Sequence, residues 1–484
     1  MNPHLSVVSS LALVAATAGL AATGPSSSET PYLVPLRPGV EFTSLLTVGD
    51  AVPKHNPSNP ADTLYRMVGI PDGMGAFDNG DGTFTILLDH EIGSNQGVVR
   101  AHGSVGAFVS KWRVRKSDLK VLRGEDLIKK VWLHDDRTDT WSEGTTAFNR
   151  FCSADLADVS AYYNVATDKG FFDGRVFLSG EESGPTGRAF AHIATGPLAG
   201  QSYQIPGIGN ASWENVLAAP GSKDNTVLIG LDDTNLGKVF VHVAPKTGGS
   251  GLMAGGLHGG QNAAIAVAGM AEESRDNVPA NHTRFSLVAG DDPAGTRWLR
   301  PEDGAWDTQN RHRFYFTTTD RYDQVKDGVG SQVGRSRLWR LTFDDVEKPW
   351  LGGTIKAMLD GTEAGQMFDN LTVNSYGHVI LQEDVGGTAH NGKIWSYNPV
   401  ADALTLLAGH DPARFGDLGV PATAPHNNDE ESSGVIEVSR LFAGEKGYDT
   451  GRFRYYLLTV QAHSSLTDPE LVQRGQLLLM RVPH

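Results

Sequence analysis

One cysteine, Cys152, stands in 484 residues. A single thiol excludes an internal disulfide and any thiolate-rich zinc or iron–sulfur site. In an exported protein, a lone thiol has to be buried or metal-bound to escape oxidation. Basic residues are also short, with 41 Lys and Arg against 56 Asp and Glu and a formal charge of −15. That balance argues against nucleic acid as a partner, because such binding rests on neutralising phosphates. The acidic surplus either keeps the chain soluble or marks carboxylates that hold cations, and composition does not separate the two. There is no G-x-S-x-G elbow and no H-E-x-x-H helix. The glycine-rich stretch Gly249–Gln261 lacks the Lys-Ser/Thr of a phosphate loop and reads as a flexible insertion. The 16 histidines form no tight cluster along the chain, and only His90 and His463 stand at strand ends.

Long apolar runs are missing as well, except at the start. Leu5 to Ala22 is apolar but diluted by Ser, Thr and Gly, and leads into the polar Ser26-Ser27-Ser28. This reads as a secretory segment over residues 1–28, cut near Ala18 to Ala22, although no Lys or Arg precedes Arg37. The run is marginal for a membrane anchor. The expectation is a secreted or periplasmic, monomeric protein without stable membrane insertion, in which residues 30–484 form a single domain.

What the chain has in excess is glycine, 57 residues, with 24 prolines. Tight turns use glycine because it reaches φ > 0 without steric cost. Between the turns lie short runs rich in Val, Ile, Phe, Tyr and Thr: F84-T-I-L-L-D, R175-V-F-L-S-G, T226-V-L-I-G-L, R313-F-Y-F-T-T-T, H378-V-I-L-Q-E and Y455-Y-L-L-T-V-Q. All six predict strands. Asp118–Lys130 and parts of Gly251–Glu273 are helical or irregular candidates. The strands share an ending, running into D89-H-E, G180-E-E, L231-D-D, T319-D, Q382-E-D and Q461-A-H. Each is preceded by a ligand-capable segment: I70-P-D-G, F148-N-R-F-C, S212-W-E-N, R300-P-E-D-G, F368-D-N and N428-D-E-E. Repetition of a multi-strand unit is the signature of radial architecture. Six units predict an all-β, six-bladed propeller, with equivalent positions converging on one end of a central channel.

Convergent carboxylates cannot all stay ionised without counter-charge. Glu181, Glu182, Glu214, Glu302, Asp369, Glu383, Asp384, Glu430 and Glu431 offer more oxygens than the six to eight that one calcium takes, so several metals sharing ligands fit better. Cys152 holds the place in its unit that Glu214 and Glu302 hold in theirs. A thiolate there suits a transition metal, with iron the natural choice, whereas the alternative is a buried small hydrophobe. Arg300, two residues before Glu302 and on the same strand face, is either an anion-binding fork or a partner for its acidic neighbours.

Taken together, these segments resemble the PhoX-type bacterial alkaline phosphatases from about Leu64 to the C-terminus. The resemblance rests on Cys152 followed by Glu181-Glu182, W-E-N at Trp213–Asn215, R-P-E-D-G at Arg300–Gly304, D-N-L-T-V at Asp369–Val373 with its Q-E-D, and the closing T-V-Q-A-H. It implies a phosphomonoester hydrolase with an Fe3+ and Ca2+ centre on the propeller axis. Cys152, Glu181, Glu214 and Glu302 would then hold iron. Glu182 would serve calcium, with acids among Asp369, Glu383, Asp384, Glu430 and Glu431. Arg300 would grip the phosphate, helped by Asn149 or Arg150. The chain departs from the family after the cysteine, where Ser153-Ala154-Asp155 replaces the usual Gly-Gly and Thr-Pro-Trp-Gly-Thr-Trp run, and it lacks a twin-arginine pair before Arg37. Two other readings use the same acids: a calcium-dependent propeller lactonase or esterase, and a non-catalytic secreted propeller with structural calcium.

Overall fold

The computed structural model describes residues 21–57, 59–320 and 335–484. Most of the secretory stretch, residues 1–20, lies outside that set. Ala21–Thr23 is an exposed three-residue edge strand, so a cut near Ala22 would leave the folded body in place. Among the described residues no helix is long and apolar enough to cross a membrane.

The architecture is all-β, a propeller. Each of the six strands expected from sequence lies in a sheet, in second place, paired antiparallel with a strand that opens on a ligand-capable segment. The six opening strands are Pro71–Asp78, Phe151–Asp155, Trp213–Ala218, Pro301–Trp306, Phe368–Val373 and Glu430–Glu437. Each touches the next and the last touches the first, closing a ring about one axis. The units are not six separate sheets. Thr283–Ala289 pairs with both Gln261–Val267 and Gly353–Leu359, joining the third and fourth units into one nine-stranded sheet.

The strands are apolar on both faces because both faces are covered. In Arg313–Thr318, Phe314 and Phe316 enter the seam with the third unit, while Tyr315 enters the seam with the fifth. In Thr83–His90, Ile86 and Leu88 face the sixth unit and Leu87 the second. Period-2 alternation thus feeds two cores from one strand. The ring is tied shut by the N-terminal strand Glu41–Thr47, which pairs antiparallel with the C-terminal strand Gln473–Pro483. Leu33–Pro35 completes the fifth unit in the same way.

The candidate helical segments are otherwise. Val121–Asp126 is a strand paired with Phe108–Arg115, after a turn in which Leu119 takes φ 61°. Gly251–Glu273 contributes one short 3-10 turn, Leu252–Gly255, and the strand Gln261–Val267. Tertiary pairing overrode local ambiguity in both.

Candidate metal centre

The ring strands carry their functional residues in register. The second residue of each is Asp72, Cys152, Glu214, Glu302, Asp369 or Glu431. In five of these strands a register shift against the partner spans the second residue, whereas in the sixth it lies further along, between Ser433 and Ile436. A bulge bends a strand and re-aims the side chains beside it. The residue just before the strand takes the left-handed conformation in four units: Ile70 at φ 52°, Arg150 at 49°, Arg300 at 59° and Met367 at 52°. Such backbone is costly for bulky side chains and is characteristic of functional sites.

A second tier comes from the neighbouring strand ends. The first ring residue of each unit pairs with, or lies beside, His90, Glu181, Asp232, Thr318, Glu383 and Ala462. The next residue along turns toward the axis: Glu91, Glu182, Asp233, Asp384 and His463 line the funnel. In the fourth unit the equivalent is Thr319, whose hydroxyl donates to Glu302 Oε1 at 2.8 Å. The funnel is a cavity of about 260 Å³ lined mainly by these two tiers, with Arg150, Arg300 and Asp429 from the segments preceding ring strands.

Of the expected site residues, Cys152, Glu182, Glu214, Glu302, Asp369, Asp384, Glu431, Arg150 and Arg300 meet in this funnel. Four others do not. Glu181 points away, and its carboxylate takes a two-pronged ion pair from Arg188 at 2.7 Å on each oxygen. Glu383 is buried under donors, with Trp395 Nε1 at 2.8 Å, the Gln366 and Lys393 amides at 2.9 and 3.0 Å, and His390 Nε2 at 2.9 Å. Glu430 accepts from the Gly392 amide at 3.3 Å. Asn149 accepts from the Ser94 amide at 3.0 Å. One rule covers the three acids: each precedes a funnel residue by one place, and adjacent side chains on a strand take opposite faces.

The sequence reading did not name Asp72, Glu91, Asp233, Asp429, Gln461 and Gln473. Asp72, Glu91, Asp233 and Asp429 were visible inside the quoted landmarks, the first three at places equivalent to named acids and Asp429 at the place that Arg150 and Arg300 hold. Gln461 ties the two tiers together, donating from Nε2 to Asp72 Oδ2 at 2.9 Å, Glu91 Oε2 at 3.1 Å and Glu431 Oε1 at 3.3 Å. Of the two histidines at strand ends, His90 is structural, stacked on Phe108 and bonded to Ser110. His463 belongs to the funnel, 3.6 Å from Glu431.

The funnel is short of positive charge. Arg150 pairs with Glu91 at 2.6 Å and with Glu182. Arg300 forks onto Asp233 at 2.9 Å through two nitrogens and reaches Glu302 at 3.1 Å. Burial pushes the carboxyls of Asp72, Glu182, Glu214, Glu302 and Asp369 well above the usual range, and neighbouring carboxylates push the same way. Asp384 rises to about 7 for the same reasons. Burial, then the charge of Asp72 and Glu214, raises the Cys152 thiol, which donates to Asp72 Oδ2 at 3.3 Å. Burial presses His463 downward, but Glu431, Gln473 and Asp429 together lift it to about 10.

Cations fit this donor set. Ligand atoms of Asp72, Glu91 and Cys152 lie within 4.8 Å of one another, as do those of Cys152, Glu182 and Glu214 and those of Glu214, Glu302 and Asp369. Asp72 Oδ1 and Asp369 Oδ1 are buried with no hydrogen-bond partner, which is costly unless a cation faces them. The carboxylates suit hard ions such as calcium, and a thiolate at one station suits a transition metal.

No protein-family model matches this sequence, and a search of curated proteins finds no match. Comparison of structures is more informative. PhoX of Pseudomonas fluorescens, solved in complex with vanadate, a transition state analogue, aligns over 96% of this chain and 98% of that one, with a TM-score of 0.62 at 10% identity. The fold is PhoX-like. The NanB sialidase of Streptococcus pneumoniae and a putative 6-phosphogluconolactonase of Bacteroides uniformis align at TM-scores of only 0.36 and 0.31, with 9% and 8% identity. They cover 85% and 81% of this chain and 68% and 95% of their own. At such identities the likeness to PhoX is one of architecture, and the funnel chemistry rests on the residues above.

Proposed function

We propose that the chain is a metal-dependent phosphatase that hydrolyses phosphomonoesters at an iron and calcium centre in the funnel. The observation that supports this best is the register of the ring. Cys152 takes the second place in its strand, where the other five units put carboxylates, within a PhoX-like fold whose solved counterpart held vanadate. Cys152, Glu182, Glu214 and Glu302 would hold iron, and Asp72, Asp369, Asp384 and Glu431 would hold calcium. When bound, the cations would polarise the phosphoryl oxygens and offset charge developing there.

The chain's own residues supply the grip and the orientation. Arg150 and Arg300 both line the funnel, and each engages carboxylates through its guanidinium. A phosphate presents the same two-oxygen edge. Arg150 is the more accessible, with 49% of its side chain exposed against 17% for Arg300. Its left-handed backbone holds it beside Cys152. The substrates would be small phosphate esters met outside the cytoplasm by a monomeric protein.

Metal analysis of purified protein combined with a phosphomonoester assay tests the reading. Iron and calcium should be found together, and Cys152→Ala should lose iron, thiolate-to-iron absorption and phosphate release. Calcium alone, with no phosphate release before or after metal supplementation, would overturn it. One observation favours a second reading, a non-catalytic propeller with structural calcium: both arginines are already ion-paired. That reading requires metal binding without turnover.

A further inference from the structure

The histidines look scattered in sequence, yet two of them meet far from the ring strands. His134 is the last residue but one of the strand Lys130–Asp135, in the outer part of the second unit's sheet, and Asp139 lies in the turn leading to the edge strand Thr140–Gly144. His258 comes from the glycine-rich insertion of the third unit, more than a hundred residues away in the chain. The two carboxylate oxygens of Asp139 divide between the rings, Oδ1 lying 3.1 Å from His134 Nε2 and Oδ2 3.3 Å from His258 Nε2. Ligand atoms of all three residues lie within 4.8 Å of one another.

We infer that His134, Asp139 and His258 form a binding site for a zinc-class divalent cation, which clips the glycine-rich insertion to the outer hairpin of the second unit. Two imidazoles and a carboxylate are the donor types zinc prefers, and its sites often leave a fourth position to water. Ligands about 2.0–2.1 Å from a tetrahedral zinc stand roughly 3.3 Å apart, close to the two histidine–carboxylate separations. Calcium, which takes six to eight oxygens, is poorly served by this set.

Three further features prepare the site. His134 Nδ1 lies 2.9 Å from Asp136 Oδ1, so with a cation at Nε2 the ring's remaining proton would be held by that carboxylate. This carboxylate–imidazole arrangement is a common outer support of metal-bound histidine. His134 itself is firmly placed, only 4% of its side chain being exposed. Trp141 packs against both rings, with centroids 4.6 Å from His134 and 4.8 Å from His258. Its own Nε1 donates to the Gln204 carbonyl at 2.9 Å. Asp139 sits at φ 54°, a left-handed conformation that aspartate tolerates in turns, and with 67% of its side chain exposed it leaves an entry path.

The test is zinc binding to the full chain, already loaded with its funnel metals, by equilibrium dialysis against Zn2+. Wild type should take up one more equivalent than His258→Ala or His134→Ala, and its Tm should rise with zinc while theirs does not. His258 is on a partly exposed loop, so His258→Ala should fold as wild type in chelator, by circular dichroism. Asp136→Asn keeps all three ligands and should weaken zinc binding by about 10- to 100-fold. Equal zinc uptake and equal Tm response in wild type and both histidine variants would overturn the inference. Zinc stoichiometry is read apart from phosphate release, so failure of the phosphatase reading leaves this test intact.

Discussion

Glu181 and Glu182 differ by one position and by everything else. The strand sends Glu181 back into the protein, onto Arg188 and two backbone amides, and sends Glu182 into the funnel. Substitution should separate these roles. Glu181→Gln leaves a largely buried guanidinium without its counter-charge. A fully buried broken pair costs 3–5 kcal/mol, and because Arg188 keeps 22% exposure the expected loss is about 2 kcal/mol, read as a lower Tm with metal content unchanged. Glu182→Gln should do the reverse, lowering metal content while leaving the Tm of chelated protein close to wild type. If Glu181→Gln instead empties the metals, the assignment of faces is wrong.

At the scale of elements, the ring works because its strands come together closely enough for glycine alone to fit. A Cβ on Gly73 would stand 2.3 Å from the Ala154 amide nitrogen and 2.5 Å from the Ser153 carbonyl carbon. These are backbone atoms of the next ring strand, so no rotamer change relieves the clash. Gly434, at φ 57°, would meet the Asp72 carbonyl at 2.1 Å. Gly73→Ala should therefore destabilise by about 3 kcal/mol, the upper end for overpacking, and loosen metals by moving Asp72 away from Cys152. Chemical denaturation with metal analysis checks both. The glycines were legible as turn formers, yet this one works inside a strand. Its reason lies in a neighbour some eighty residues on.

For the whole molecule, the buried acids link metal, pH and stability. A carboxyl whose folded pKa is raised binds more protons folded than unfolded. Its stabilisation is complete below the unfolded pKa and falls as pH rises through the folded value. For Asp384 that window runs from 3.8 to about 7, and the acids raised further extend it upward. His463 acts in the same direction, its contribution declining between 6.5 and about 10. The Tm of chelated protein should thus fall as pH rises from about 4.5 through 7, and calcium should remove most of that slope. A flat or rising profile in chelator would contradict the electrostatics of the funnel. Ring closure also belongs to this scale: ending the chain before Gln473 removes the partner of Glu41–Thr47 and should prevent cooperative folding, seen as loss of a single thermal transition.

Much was readable from the chain alone. Alternating apolar residues between glycine-rich turns specify strands, because side chains on a strand repeat every two positions. Six strands with ligand-capable endings, five of them acidic, announced a repeated unit, and the landmark before each carried the ring residue itself. Cys152 was recognisable as a ligand candidate because it stood where other units have carboxylates. Only the tertiary structure decided which acid of each adjacent pair faces the axis, since a bulge of one residue reverses that choice and leaves no mark in composition. It also decided that Arg300 is held by Asp233, and that His134 meets His258 across two units. Local chemistry is written residue by residue, whereas convergence depends on how the ring closes.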